Sequence, residues 1–328
     1  SEVYLKDQAA FEDYLIQQGV DGAVLRLGSG EEVAGADLLR IVEGARSAFD
    51  RFVTGIVSSA FAIAMVPLVS VGWTVVSNGI ARFDATFFSS SMRGIVGEGG
   101  GAVHAIWGTL LITLTAAIIS VPIGLMTAIY LIEYGQEKRL ARAITFLVDV
   151  MTGIPSIVAG LFAYALFALI FGPGVRMGFA GAVALSVLMI PVVVRSSEEM
   201  LRLVPNELRE ASYALGVPKW LTIVKVVLPT SIAGITTGVM LAIARVIGET
   251  APLLITAGFT DAMNQNLFDG RMQTLPVYIY SQYAYKGIPP EAYVDRAWAA
   301  ALTLILIVMA LNLIARIVAK VFAPKTGR

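Results

Sequence analysis

Cysteine is absent from this sequence of 328 residues, and histidine occurs only once, as His104. Without a thiol the chain has no disulfide, no thiolate metal site and no cysteine nucleophile. One imidazole cannot build a histidine-based metal site, and we expect His104 to pack or cap near the start of a helix. The sequence also has no Gly-x-Ser-x-Gly nucleophile pattern and no Walker A phosphate-binding loop. We therefore expect no metal site and no catalytic residue, and any ATP hydrolysis belongs to a partner.

Charged residues are also scarce. They make up 15% of the chain, against 57% hydrophobic residues, whereas soluble domains carry about 25% charged residues. This is too little charge to cover a globule in water, so the composition predicts a polytopic membrane protein. Lysine plus arginine equals aspartate plus glutamate at 24 each, which gives no electrostatic reason to bind nucleic acid.

Six apolar segments are long enough to cross a membrane, which takes about 20 residues for roughly 30 Å of hydrocarbon. They cover residues 52–76, 103–132, 143–171, 179–200, 232–258 and 298–321. Five contain a proline, at Pro67, Pro122, Pro155, Pro191 and Pro252. Interrupted helices are tolerated at membrane depth where protein or a water-filled cavity surrounds them. The sequence therefore predicts an all-α protein with six transmembrane helices, more typical of a transporter than of an anchor.

The segment before the first span, residues 1–51, is predicted to be an N-terminal cytoplasmic segment. Residues 36–52 show an amphipathic pattern, with Leu39, Val42 and Phe49 on one stripe. This pattern predicts a helix on the membrane surface, with a simple solvated helix as the alternative. Residues 52–325 are predicted to form the transmembrane domain.

Lysine and arginine are distributed unevenly between the two sides of the membrane that these spans define. With the N-terminus inside, 17 of them fall in inner segments and 6 in outer loops, while Arg245 lies within the fifth span. Positive residues favour the cytoplasmic side. Both termini and the loop at residues 196–231 are therefore predicted to be cytoplasmic.

That loop contains a predicted helix, turn and second helix. Pro205 suits a helix start because its missing N–H falls among the unbonded donors of the first turn. Gly216 suits the left-handed position that ends a helix, and Pro218 opens the next one. Pro229 is expected to close this second helix before the fifth span.

The same loop resembles the EAA loop of ABC-importer permeases. The matching residues are Glu210-Ala211-Ser212, then Gly216 after three residues, then Val226-Val227-Leu228-Pro229 after nine more. Ser212 and Val226 are mild departures from the pattern. The resemblance implies a coupling helix that docks on a cytoplasmic ATPase. The residues expected at this contact are Glu207, Arg209, Glu210, Ala211, Gly216 and Pro218. The alternative is a helix that merely lies along the lipid headgroups.

The fifth span carries a charge pair. Arg245 lies near its middle, where a charge costs about 2.5–3.5 kcal/mol on insertion scales and should face a cavity or a partner helix. Glu249 follows four residues later on the same face of a continuous helix, and Thr250 adds a hydroxyl. Small residues, including Gly234 and Gly238, continue this face. The three polar residues are predicted to line a path for an oxyanion; alternatively, the two charges neutralise each other and fix helix packing.

Further segments narrow the resemblance to the PstA family of phosphate-specific permeases, particularly its actinobacterial form. They read GGGAVHAIWGTL, VPIGLMTAIYLIEYG, GIPSIVAGL and ARVIGETAPLL, and the likeness extends over residues 50–325. It implies a type I ABC-importer permease in a bacterial inner membrane, paired as a heterodimer with the sister permease PstC. It also implies two copies of the ATPase PstB, which would hold ATP and Mg, and an extracytoplasmic phosphate-binding protein. In this family Arg245, Glu249 and Thr250 fall in the proposed translocation segment.

Two alternatives to phosphate import stay open. A permease for sulfate or molybdate would share the coupling loop, because fidelity rests mainly with the binding protein. An ATP-independent channel or carrier would explain the spans and Arg245 but not the loop at residues 207–229.

Overall fold

The structure is a computed structural model that describes residues 24–26, 32–135 and 138–322, with side chains described over residues 49–135 and 138–317. Its helices, in chain order, are α1 (Gly35–Gly79), α2 (Ala85–Ser89), α3 (Val103–Ile129), α4 (Arg139–Gly153), α5 (Ser156–Phe171), α6 (Gly178–Arg202), α7 (Asn206–Ala214), α8 (Lys219–Thr222), α9 (Leu228–Val246), α10 (Ala251–Thr256), α11 (Leu275–Ala284) and α12 (Pro290–Phe322). A 3₁₀ turn follows α1 at Ile80–Arg82, and π-helical turns lie at Tyr130–Tyr134 and Ile223–Val227.

The chain forms two compact units, Ser1–Gly72 and Trp73–Arg328. In the first, strand β1 (Val24–Arg26) pairs antiparallel with β2 (Glu32–Ala34), and the remaining elements of the fold are helical, as predicted. Helix α1 follows β2 directly and runs unbroken for 45 residues, past residues 51 and 52. The amphipathic stretch is therefore not a helix separate from the first span, although most of its side chains lie outside the described residues. The boundary between a cytoplasmic segment and a permease domain stays a prediction.

The third predicted span, residues 143–171, is broken rather than continuous. Helices α4 and α5 meet at an angle of 109°. Ile154 is extended, with φ −72° and ψ 128°, as a residue before proline prefers, and Pro155 caps α5. Within the described residues, five helices are long and apolar enough to cross a membrane, or six if this bent pair counts as one span. The predicted number of spans agrees with the second count.

The fifth predicted span differs at both of its ends. Pro229 does not close a helix, because the backbone is helical without interruption over Lys219–Val246. The π-helical turn at Ile223–Val227 lies just before this proline. Proline has no N–H to donate, and a local π-helical turn helps to satisfy the backbone carbonyl that is left without its donor. At the other end, α9 stops at Val246 and the separate helix α10 begins at Ala251. The span predicted over residues 232–258 is therefore two helices.

Helix α6 is the centre of the larger unit, and α3, α5, α9 and α10 pack around it. The apolar side chains buried between these helices include Ile112, Ala159, Leu185, Met189, Val246 and Leu253.

Glycines allow α9 to approach α6 closely. A Cβ on Gly238 would lie 2.5 Å from the Cβ of Ser196, and one on Gly234 would lie 2.1 Å from the sulfur of Met200. These glycines therefore serve the contact between the two helices, so helix packing accounts for the small residues on this face. The pairing is antiparallel, and extending it along α9 brings Arg245 level with Met189, about halfway along α6.

Candidate functional site

The loop at residues 196–231, called the coupling loop after its predicted role, has the helix–turn–helix structure that the sequence predicts. Helix α7 begins at Asn206 after Pro205 and ends at Ala214. Gly216 has φ +76°, its N–H donates to the Tyr213 carbonyl at 2.9 Å, and the Val217 N–H donates to the Ser212 carbonyl at 3.2 Å. This is the Schellman arrangement that ends helices at a left-handed glycine. A Cβ at Gly216 would meet nothing within 4 Å, so the position needs glycine for its backbone conformation alone.

Arg209 fixes α7 to two other helices. Its Nε and Nη2 donate to Oε1 of Glu133 at 3.0 and 2.9 Å. Its Nη1 donates to the Val204 carbonyl at 2.6 Å, and Nη2 also donates to the Leu201 carbonyl at 3.0 Å. The side chains of Arg209 and Glu133 are only 12% and 4% exposed. Arg209 therefore donates its hydrogen bonds within the chain and holds α7 against the end of α3 and the end of α6.

Two further contacts hold the second half of the loop, one to Glu133 and one to α7. The Lys219 ammonium donates to the backbone carbonyl of Glu133 and lies 5.0 Å from the centre of the Tyr134 ring. The hydroxyls of Ser212 and Thr222 are 2.8 Å apart in a buried contact that links α7 to α8.

The other predicted coupling residues are exposed. Glu207, Glu210, Ala211, Gly216 and Pro218 all lie on the surface of the loop. Large apolar side chains accompany them, with Leu215 84% exposed and Trp220 61% exposed.

Behind this surface lies a cavity of about 570 Å³. Its lining includes Glu133, Arg202, Glu210 and Tyr213. Partial burial raises the pKa of Tyr213, and the negative charge of Glu133 raises it further, whereas Arg209 lowers it. The loop thus presents an acidic and apolar outer surface, and its inner side is held by the contacts of Arg209 and Lys219 with Glu133.

The predicted path residues lie at the break between α9 and α10. Arg245 is exposed in the last turn of α9. After a turn at residues 247–248, the Glu249 N–H donates to the Val246 carbonyl at 3.1 Å, and Thr250 caps α10. Arg245 and Glu249 are therefore not on one face of a continuous helix, as the sequence led us to expect. In the part of the chain that the structure describes, no ion pair joins them.

His104 is buried at the start of α3, as expected of a packed residue. Its ring meets that of Tyr278 edge to face, with centroids 5.5 Å apart. Neither ring nitrogen has a hydrogen-bond partner among the described residues.

Comparisons with known proteins decide the family. The family described as "Binding-protein-dependent transport system inner membrane component" matches residues 120–328. Phosphate transport system permease protein PstA 1 of Mycobacterium tuberculosis H37Rv is 48% identical over 263 residues, which cover 79% of this chain and 84% of the relative. The chain belongs to the PstA family. PstA of Mycobacterium leprae is 47% identical over 283 residues, covering 85% of this chain and 91% of the relative.

Solved structures show that this PstA-family chain has the type I ABC-importer permease fold. An inward-facing structure of the MetNI methionine ABC transporter matches with a TM-score of 0.56 and 21% identity, covering 67% of this chain and 95% of that one. A bacterial alginate ABC transporter, in complex with an alginate pentasaccharide-bound periplasmic protein, matches with a TM-score of 0.60 and 14% identity, covering 86% and 98%. At these identities the likeness concerns the fold alone. The chain is a multi-pass inner-membrane permease subunit.

Glu133 is the site residue that sequence reasoning missed. It lies 76 positions before Arg209 and outside the loop pattern, one residue past the predicted second span at residues 103–132. A carboxylate at the end of an apolar span was the available signal, because a charge in such a position needs a partner.

Proposed function

We propose that this chain is the transmembrane permease subunit of an ATP-driven importer of inorganic phosphate and forms half of its translocation path. The observation that carries the proposal is the 47–48% identity to mycobacterial proteins named as phosphate transport permeases over most of the chain. The braced coupling loop supports ATP-driven import over an ATP-independent channel or carrier, since a channel has no use for such a surface.

The proposed assembly pairs this chain with the sister permease PstC, two copies of the ATPase PstB and an extracytoplasmic phosphate-binding protein. ATP and Mg would bind to the ATPase. Both termini and the coupling loop lie in the cytoplasm in this arrangement, as the distribution of lysine and arginine favours.

The exposed surface of α7, with Glu207, Glu210 and Leu215, is the proposed contact with the ATPase. Movement of that surface reaches the membrane in two ways. Arg209 carries it to Glu133 and so to the end of α3. The continuous helix Lys219–Val246, of 28 residues or about 42 Å, carries it to the level of Arg245.

Arg245, Glu249 and Thr250 are the proposed substrate contacts. The exposed guanidinium of Arg245 offers a fork of N–H donors that suits phosphate. At neutral pH phosphate keeps at least one proton, so the Glu249 carboxylate can accept a hydrogen bond from it. Sulfate carries no such proton and would meet only repulsion there.

The proposal is tested by reconstituting the chain with its three partners in liposomes that contain ATP. We expect uptake of radiolabelled phosphate when the loaded binding protein is supplied outside, and no uptake when the ATPase carries a Walker A lysine substitution. Radiolabelled sulfate and molybdate serve as matched controls. Uptake of sulfate or molybdate without uptake of phosphate would refute the proposal in favour of another oxyanion. Uptake of phosphate without ATP would refute the ATP-driven mechanism.

A further inference from the structure

Two arginines converge on Gly258, at the end of α6 opposite the coupling loop. A Cβ built on Gly258 would lie 3.0 Å from Cδ of Arg176 and 3.5 Å from Cδ of Arg271. The two side chains therefore run along the same glycine from different segments. Arg176 is partly buried and Arg271 is exposed.

Backbone hydrogen bonds place the two arginines there. The Met177 N–H, next to Arg176, donates to the Thr256 carbonyl at 3.1 Å. The Met272 N–H, next to Arg271, donates to the Ala257 carbonyl at 3.1 Å. Three separate segments are thus joined side by side, and the convergence of the arginines is a consequence of the main chain rather than of flexible side chains meeting on a surface.

Neither guanidinium is neutralised by a side chain that the structure describes. Over the described side chains, Arg176 and Arg271 have no side-chain hydrogen bond and no ion pair. The carboxylates of Asp261 and Asp269, in the same connection between α10 and α11, lie beyond ion-pair distance of both. Both side chains carry a positive charge beside the same glycine, and a bound anion reduces the repulsion between two like charges in one region.

The start of α6 adds positive potential at the same place. This helix is 25 residues long and begins at Gly178, two residues after Arg176. Its N-cap residue Met177 provides no side-chain cap, and in the first turn the Phe179 N–H donates to the Leu267 carbonyl at 2.7 Å. The N-terminal end of a helix favours negative charge, so the helix supports the two arginines in attracting an anion.

The position also fits a route to the predicted path residues. Thr250 caps the start of α10, and Thr256 is the last residue of the same helix. Helix α10 has six residues, so its two ends are about 9 Å apart. The arginine pair therefore lies one short helix away from Glu249 and Thr250, on the side that the orientation predicts to be extracytoplasmic.

We infer that Arg176 and Arg271 form an anion-receiving site at the outer mouth of the permease, which takes a tetrahedral oxyanion between their guanidinium groups. The identity of that ion as inorganic phosphate rests on the proposed function. Guanidinium N–H groups bind phosphate oxygens in pairs, which a single ammonium does not. The site receives the ion from the binding protein and passes it towards Arg245.

Gly258 keeps the site in its shape. Its φ is +74°, which side-chain-bearing residues rarely adopt, and a Cβ would press on Arg176. A glycine at this position holds the connection in place and leaves room for both arginines.

The test uses the assembled transporter in liposomes with phosphate-loaded binding protein at limiting concentration. The variants are Arg176→Gln, Arg271→Gln and the double variant, and the readout is phosphate transported per ATP hydrolysed. We expect a fall of about threefold for each single variant and about tenfold for the double variant, with stimulated ATP hydrolysis at the wild-type level. Arg→Lys at both positions should recover part of the loss, since it restores charge without the paired donors.

Arg93→Gln is the matched control, because Arg93 is an exposed arginine of the loop before α3 and belongs to the same predicted outer side. It should leave the ratio unchanged. A double Gln variant with the wild-type ratio would overturn the inference. So would a parallel fall of uptake and hydrolysis, because that would place the arginines in docking of the binding protein. A wild-type transporter that moves no phosphate would refute the proposed function instead.

Discussion

Replacing Arg209 with methionine should uncouple the loop from the membrane domain. The change removes a cation from a Glu133 carboxylate that is 4% exposed, and it removes the donors to the Val204 and Leu201 carbonyls. Breaking a buried ion pair by removing one partner costs about 3–5 kcal/mol. Because Arg209 itself is 12% exposed, we expect the lower end of that range. About 3 kcal/mol corresponds to a roughly hundredfold shift towards a detached loop.

The effect is measured by amide hydrogen exchange over α7 and α8 in the assembled transporter, together with ATP hydrolysis stimulated by the binding protein. Exchange should speed up and stimulated hydrolysis should fall. Glu133→Gln and the double variant complete a double-mutant cycle, and we expect a coupling energy of about 1–3 kcal/mol between the two positions.

Arg202→Met is the matched control for this cycle. Arg202 lines the same cavity and is exposed, and no side-chain partner is found for it among the described residues. It should change exchange little. The ion pair would have no part in coupling if the effects of the Arg209 and Glu133 variants on exchange were strictly additive, or if stimulated hydrolysis were normal in both.

Substitutions at three further positions test the loop and the path in the reconstituted transporter. Gly216→Val should weaken stimulated ATP hydrolysis, because the left-handed backbone costs a side-chain-bearing residue about 1–2 kcal/mol, whereas Gly216→Asn should be tolerated; normal hydrolysis with valine would contradict the role of this turn. Arg245→Lys should lower phosphate uptake at equal levels of complex and Arg245→Gln should lower it further, so full uptake with glutamine would exclude a path role. Glu249→Gln should relax the discrimination between phosphate and sulfate in rapid-mixing uptake, since a neutral amide does not repel sulfate; unchanged discrimination would leave Glu249 no role in selection.

The spans could be predicted from the sequence because apolar length is a property of each segment by itself. Where a helix breaks depends on its neighbours. Pro122 and Pro191 lie inside intact helices, whereas Pro155 lies at the break between α4 and α5. A proline interrupts a helix only when the freed carbonyl has no other way to be satisfied, and the residues that satisfy it are far away in sequence.

The break in the fifth span did leave a local signal. Thr250 followed by Pro252 is a helix-start pattern, with a capping-type residue and a proline in the first turn. The apolar character of residues 232–258 concealed it, because hydropathy is the same for one helix and for two in line. The exposure of Glu207 and Glu210 followed from the polar pattern of α7, but the inward direction of Arg209 did not, since its partner Glu133 belongs to another span.

In the proposed mechanism, Glu133 has a larger part in coupling than its distance from the loop would suggest. Its carboxylate binds Arg209 of α7, and its backbone carbonyl accepts from Lys219, the first residue of the continuous helix that ends at Val246. Displacement of the docking surface therefore pulls on the same residue that anchors the start of that helix. The end of α3, through Glu133, holds both the surface that the ATPase would move and the helix that would carry the movement to Arg245.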